Sequence, residues 1–224
     1  MSCLGRPYVV VGGFMSVDGK TAPKNLQGRV FMPLMGRRLQ ERLHRLRSEV
    51  DCILVGVKTV LTDNPRLTVR LVDGKSPLRV VLDSKARTPL NSAVLNVKEA
   101  PTLIAVSRSA PPCAVEGLRG AGAEVVECGD TKVDIRNLLE KLYERGVRRL
   151  LVEGGSEVRW SFLSEGVVDE LFVWVMPMIW GGKDAPTIVD GEGFTSPREA
   201  IMLELKQLEV VENIITMNFL VKKT

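Results

Sequence analysis

The chain contains one histidine, His44, and that scarcity excludes several chemistries at once. A three-histidine zinc site or an H-E-x-x-H metalloprotease needs imidazoles that are not there, so no metal centre is expected. Cysteine is also sparse: Cys3, Cys52, Cys113 and Cys128 form no C-x-x-C pair. That argues against a disulfide framework and for a reducing, cytoplasmic compartment. Aromatic residues make up only 5% of the chain, too few for the stacking surface of a nucleic-acid binder. No apolar run is long enough to span a bilayer, and residues 1–6 lack a signal-peptide pattern, so no membrane partner is expected. The dinucleotide fingerprint G-x-G-x-x-G is absent too. Any dinucleotide therefore binds on a fold other than the Rossmann type.

What is present describes a soluble globular protein with a sizeable core: 45% hydrophobic and 26% charged residues in a chain of 224. The formal charge of +4 suits an anionic small molecule better than a polyanion.

Residues 7–13 form a nearly continuous β-branched run ended by glycines, which predicts a buried strand, and 14–24 read as a loop. Met35, Leu39, Leu43, Leu46 and Val50 recur at helical period opposite a face rich in arginine, which predicts an amphipathic helix. Strands are expected at 51–56, 78–82, 103–106, 123–127 and 149–153. Helices or helical turns are expected at 58–62 and 113–120, along the stripe Ile135, Leu138, Leu139, Leu142 and Tyr143 capped by Gly146, and from Ser156 onward. After Gly166 strands follow one another without helices, at 170–176, 202–211 and 214–221, the last two joined by a Glu212-Asn213 hairpin. The pattern predicts a single α/β domain: a mostly parallel sheet with an antiparallel C-terminal edge, flanked by helices. Phe172 and Trp174 belong either to the core or to a homodimer contact.

Five stretches carry chemistry. In 150–156 (L-L-V-E-G-G-S) a strand ends at Glu153. Two glycines then allow close backbone approach, and Ser156 opens a helix whose amides suit a pyrophosphate. A plain strand-to-helix turn capped by Ser156 fits the same letters. In 55–70, Thr59 and Asp63 share a helix face at the mouth of a strand, with Arg66 and Arg70 as nearby cations. A local cap and a solvated pair are the plain readings there. In 81–87 a strand runs into Asp83, Ser84, Lys85 and Arg87, a set that leans towards the 2′-phosphate of NADP. The loop Ser16-Val17-Asp18-Gly19-Lys20 gathers a hydroxyl, a carboxylate and an ammonium, or is a surface D-G turn. The segment 177–186 (P-M-I-W-G-G-K-D-A-P) places Trp180 and another glycine pair after a strand, as packing or as the wall of a cleft.

In this order, S-V-D-G-K, the run from Leu46 to Arg70, V-V-L-D-S, L-V-E-G-G-S and P-M-I-W-G-G-K-D-A-P resemble the riboflavin-biosynthesis reductases. These are the proteins similar to the C-terminal domain of the bacterial bifunctional deaminase–reductase. The match runs from about Tyr8 to the C-terminus. The free-standing form, without the zinc-deaminase pattern, is most similar to the archaeal reductases of 2,5-diamino-6-ribosylamino-4(3H)-pyrimidinone 5′-phosphate. The resemblance implies a dihydrofolate-reductase-like fold, NADPH as hydride donor with NADH as an alternative, and reduction of a phosphoribosylamine to a ribityl chain. It places Thr59, Asp63, Ser84, Gly154, Gly155, Ser156 and Glu157 on the cofactor. Ser16, Lys20, Arg47, Leu67 and Arg70 fall towards the phosphorylated pyrimidine. Glu153 also matches a substrate-side position, and Asp18, like Ser16 and Lys20, the loop flanking the site. These two carboxylates are the candidates for proton handling or for hydrogen-bonding the pyrimidine, and the physical reading leaves the choice between them open. One departure is F-M-P-L-M-G before the long helix, where relatives carry Ser or Thr.

Other readings remain. One is reduction of the deaminated 5-amino-6-ribosylamino-uracil 5′-phosphate. Another is reduction of a pterin, which makes less sense of the arginines. A third is a non-catalytic nucleotide-binding module.

Overall fold

Runs of β-branched and apolar residues set the strands, and apolar stripes at helical period set the helices between them. The computed structural model describes residues 5–24 and 28–223; Cys3 and residues 1–4 of the leading stretch lie outside them. In chain order the first elements are β1 (Tyr8–Ser16), α1 (Arg37–Ser48), β2 (Cys52–Gly56), α2 (Val57–Asp63) and β3 (Leu78–Leu82). Next come β4 (Thr102–Val106), α3 (Pro112–Gly120), β5 (Glu124–Glu127), α4 (Ile135–Glu144) and β6 (Arg149–Gly154). α5 (Ser156–Ser164), β7 (Glu170–Met176), β8 (Leu203–Val211) and β9 (Ile214–Val221) complete the chain. A 3₁₀ segment, Gly28–Leu34, for which no element was expected, precedes α1. The Gln40 side chain ties it down by donating to the carbonyls of Met32 (2.9 Å) and Met35 (2.8 Å).

The chain divides into two compact units, one running to Tyr8 and then from Leu43 to Leu151, the other from Val9 to Arg42 and from Val152 onward. In the first unit β2, β3, β4 and β5 pair side by side, all parallel. Parallel strands buried on both faces need apolar residues throughout, and Cys52–Gly56 and Thr102–Val106 are buried at every position. Ile53, Val55, Val81, Ile104, Val106 and Leu118 lie in the core they form. α4 shows how local sequence sets an element. Asp134 caps it by accepting the Asn137 amide (2.9 Å), and Ile135, Leu138, Leu139 and Leu142 are buried on one face. Gly146 ends it at φ 88°, where Val147 N–H returns to the Leu142 carbonyl (3.0 Å).

In the second unit β1 pairs parallel with β7, which pairs antiparallel with β9, and β9 with β8. Glu212 and Asn213, at φ 50° and 66°, make the tight hairpin expected between β8 and β9. Phe172 and Trp174 are buried and so belong to the core. One boundary differs from expectation: β1 runs through Gly12 and Gly13 to Ser16 rather than ending at the glycines. A Cβ at Gly12 would overlap the Phe172 ring, and one at Gly13 would come within 2.5 Å of the Arg159 guanidinium. The glycines admit neighbours into a strand instead of closing it.

Cys52 and Cys128 are buried and Cys113 is exposed. Burial pushes the Cys52 and Cys128 thiols up from their ordinary value, so neither forms the reactive thiolate readily. Among these three, alkylation of the native protein followed by peptide mapping is expected to label Cys113 and to spare the other two.

Candidate active site

The first unit carries the cation pair. α2 forms as expected and sets Thr59 and Asp63 four residues apart on one face, both half-buried. Asn64 ends the helix in the left-handed region (φ 44°), and its side-chain carbonyl accepts the Ala93 amide at 2.7 Å. The chain then turns sharply. Leu67, buried, adopts φ 54°, a conformation that non-glycine residues hold only when their surroundings impose it. After this turn the Arg70 amide donates to Nδ1 of His44 on α1 (2.9 Å). The Arg70 guanidinium donates to the Thr68 carbonyl (3.2 Å) and hydroxyl (2.7 Å), and Arg47, also on α1, donates to the same carbonyl at 3.4 Å. Two guanidiniums thus converge on Thr68, Arg47 buried and Arg70 exposed. Like charges brought together in this way favour an anion of double charge between or beside them.

Arg66 is set apart from this pair. It makes a two-point ion pair with Glu99 (3.0 and 2.7 Å), whose carboxyl Arg66 holds below the usual carboxylate range. Of the two cations singled out beyond α2, Arg70 is therefore the one placed beside Arg47.

At the ends of β3 and β4 hydroxyls cluster. Ser84 Oγ accepts the Val133 amide (3.0 Å), and its carbonyl accepts the Ser107 hydroxyl (2.7 Å). Lys85 Nζ donates to Ser109 Oγ at 2.9 Å, and Ser109 lies 2.9 Å from Ser107. Asp83 is fully buried and accepts the amide (2.6 Å) and hydroxyl (2.8 Å) of Thr88, so it holds the turn that presents Ser84 and Lys85.

The second unit carries the glycine turn and the β1 loop. β6 closes with half-buried Glu153 and buried Gly154, and Gly155 follows. Gly155 sits at φ 90° and ψ 115°, just before the first turn of α5. Neither glycine carries a side chain that would keep a ligand from the backbone leading into the helix. Glu157 stands exposed in that first turn.

In the β1 loop, Ser16 is buried and donates to Asp18 (2.5 Å), while its oxygen accepts the Lys20 amide (3.0 Å). Asp18 also accepts the amides of Trp180 (3.2 Å) and Gly181 (2.7 Å), and Lys20 Nζ donates to the Ala185 carbonyl (3.1 Å). The Ser16 hydroxyl, followed by these amides, holds the Asp18 carboxyl below the ordinary carboxylate value. Asp18 thus stays ionised and ties the 177–186 segment to the end of β1.

Three residues, Arg159 and Asp190 in the second unit and His44 in the first, gave no sequence signal of a role at the site. Arg159 on α5 is buried and donates to the carbonyls of Gly12 (3.1 Å), Ile188 (3.0 Å) and Glu153 (2.9 Å). Burial pushes its guanidinium down to about 10, still protonated at neutral pH. Asp190 accepts the Thr187 amide (3.1 Å) and hydroxyl (2.5 Å) and the Ser156 hydroxyl. Burial opposes its ionisation, but the Thr187 and Ser156 bonds outweigh burial and hold the carboxyl low. The Ser156 proton is therefore committed to Asp190. His44 is the third. A lone histidine on an amphipathic helix reads as structural, and only the fold shows that it meets Arg70.

The description "RibD C-terminal domain" belongs to the family model that matches residues 7–217. The chain is 47% identical over 220 residues to the 2,5-diamino-6-ribosylamino-4(3H)-pyrimidinone 5′-phosphate reductase of Methanothermobacter thermautotrophicus, covering 97% of this chain and 99% of that one. It is 45% identical over 202 residues to the protein of the same name from Aquifex aeolicus, covering 90% of each. Among solved structures, RibD of Acinetobacter baumannii superposes with a TM-score of 0.80 at 22% identity, over 99% of this chain and 59% of that one, a likeness of fold. These matches extend over both units and every stretch that drew attention in the sequence, and the chain belongs to the RibD C-terminal domain family.

Proposed function

We propose that this protein reduces the ribosylamino group of 2,5-diamino-6-ribosylamino-4(3H)-pyrimidinone 5′-phosphate to the ribitylamino product in riboflavin biosynthesis, with NADPH as reductant. The observation that carries this reading is the near end-to-end identity with the two reductases of that name. When bound, the nicotinamide supplies the hydride that reduces the C1′–nitrogen double bond of the ring-opened aminosugar.

The chain's own work is binding, orientation and proton placement. Arg47 and Arg70, with the Leu67 turn holding them, take the substrate's 5′-phosphate through charge-assisted hydrogen bonds. Gly154, Gly155 and the amides of Ser156 and Glu157 take the cofactor pyrophosphate. Thr59 and Asp63 also contact the cofactor, and Ser84 stands near its adenosine end. Lys20 and Ser16 line the substrate side. Glu153 handles the proton that the reduced nitrogen requires or bonds the pyrimidine, and Asp18, ionised and fully engaged, organises the loop. Glutamine at Glu153 keeps the size and removes the titratable oxygen. Glu153→Gln is expected to lower kcat by about a hundredfold, the scale of a single general acid–base group, in steady-state assays.

Lys85 and Arg87 follow Ser84 in the chain and suit the 2′-phosphate that distinguishes NADPH from NADH. The double change Lys85→Ala with Arg87→Ala is expected to narrow the kcat/KM preference for NADPH over NADH by about tenfold or more, as lost charged hydrogen bonds require. The enzyme is assigned to the cytoplasm as a homodimer. Leu205, Leu208, Val210 and Ile215 on β8 and β9 are exposed and offer an apolar face for the second copy.

The test is direct: purified protein with the diamino or the deaminated ribosylamino substrate, each with NADPH and with NADH. Fastest nucleotide oxidation with the diamino compound and NADPH supports the reading. Preference for the deaminated compound moves the step to after deamination. Nucleotide binding without oxidation under any pairing makes the protein a binding module.

A further inference from the structure

The one histidine of the chain has no place in the proposed chemistry, yet it is wholly buried and its acceptor nitrogen is spent on a backbone amide of the cation pair. His44 and Arg47 stand three residues apart on α1, so both side chains leave the same face of the helix. Both reach the segment that follows the Leu67 turn: His44 Nδ1 accepts the Arg70 N–H at 2.9 Å, and Arg47 donates to the Thr68 carbonyl at 3.4 Å. The segment itself holds a left-handed residue, Leu67 at φ 54°, that relaxes unless its flanks are fixed. The His44 bond fixes one flank, three residues beyond the strained position. It also leaves the Arg70 side chain to close over Thr68, whose carbonyl accepts from Arg47 as well. Accepting at Nδ1 requires that nitrogen to be unprotonated, so the histidine acts here as a fixed acceptor.

We infer that His44 is a positioning residue for phosphate recognition: through the Arg70 amide it sets the 67–70 turn so that Arg70 and Arg47 face one phosphate monoester dianion. This rests on the reading that Arg47 and Arg70 bind the substrate's phosphate. His44 touches neither substrate nor cofactor, so its removal acts on substrate KM through Arg70.

The experiment uses the full chain and three single variants, with kcat and both KM values measured and thermal stability followed in parallel. His44→Leu keeps bulk and removes the acceptor. His44→Asn restores an acceptor, because the asparagine side-chain oxygen occupies the place of Nδ1. His44→Leu is expected to raise substrate KM by about tenfold, the loss of one well-set charged contact, and to weaken competitive inhibition by inorganic phosphate by the same factor. KM for NADPH and kcat stay within about twofold, and His44→Asn returns substrate KM to within about threefold of wild type. In an Arg70→Met background His44→Leu adds no further rise, because the residue through which it acts is gone.

A substrate KM unmoved by His44→Leu overturns the inference. So does a parallel loss in both KM values and kcat that asparagine fails to rescue, since that is the signature of a merely structural histidine. The two layers separate cleanly. If Arg70→Met leaves substrate KM unchanged, the phosphate reading has failed. If Arg70→Met raises it and His44→Leu does not, only the role of His44 has failed.

Discussion

Replacing Arg70 with methionine is expected to raise the KM for the phosphorylated pyrimidine by about 10- to 100-fold, as the loss of charged hydrogen bonds worth about 1.5–3 kcal/mol requires. KM for the nicotinamide nucleotide is expected to stay nearly constant. Methionine keeps the length and apolar contact of the stem and deletes only the guanidinium, whose donors already point at the Thr68 carbonyl and hydroxyl. A phosphate competes well for such donors, because an anion accepts more strongly than a neutral carbonyl. Arg47 cannot replace the lost group. It is buried and approaches Thr68 from α1, so its reach is fixed, whereas Arg70 is exposed. The comparison that isolates the effect is Arg66→Met. Arg66 is paired with Glu99, so its loss is expected to leave substrate KM near wild type. Initial-rate kinetics on the three proteins decide the matter.

The second large effect belongs to Gly155. Its φ of 90° with ψ of 115° lies where an L side chain is strained, and it stands between the end of β6 and the first turn of α5. Alanine there has two consequences. The backbone pays about 1–3 kcal/mol to hold the conformation, or shifts away from it. In the proposed complex the new methyl would also crowd the backbone assigned to the pyrophosphate. Gly155→Ala is expected to raise the KM for NADPH by about tenfold or more, with substrate KM much less affected and the melting temperature lowered by a few degrees. Nucleotide titration monitored by fluorescence measures the first, and calorimetry the last. A structural turn without a ligand would show only the loss of stability.

The strands and helices were legible because their signals are local. β3 begins and ends at the expected residues, since a short β-branched run in a parallel sheet is buried along its whole length. α4 was legible from its stripe and its terminal glycine, and the β8–β9 hairpin from two polar residues between apolar runs. The end of β1 was misread because Gly12 and Gly13 look like punctuation. What they make room for, Phe172 and Arg159, lies some 150 residues further along the chain.

The candidate site was legible in part for the same reason. Thr59, Asp63 and the glycine turn stand out by spacing, whereas Arg47 and Leu67 enter only through the family resemblance and Arg70, taken locally, reads as one of a solvated pair. His44, Arg159 and Asp190 act through partners that only the fold supplies, and no spacing rule links Asp190 to Ser156 or His44 to an amide 26 residues away. Asp18 shows the converse. Its loop was legible as a gathering of polar groups, but only the structure shows that the carboxylate is filled by Ser16 and the amides of residues 180 and 181.

The central claim is that this chain carries out hydride transfer from a nicotinamide to C1′ of a phosphoribosylaminopyrimidine. NADPH doubly deuterated at C4 of the nicotinamide, given to the purified protein with the diamino substrate, tests it in one reaction. A ribitylamino product one mass unit heavier, with the deuterium at C1′ by NMR and one nucleotide oxidised per product, is the result expected. Product without deuterium at C1′, or no oxidation of the nucleotide in the presence of substrate, would contradict it.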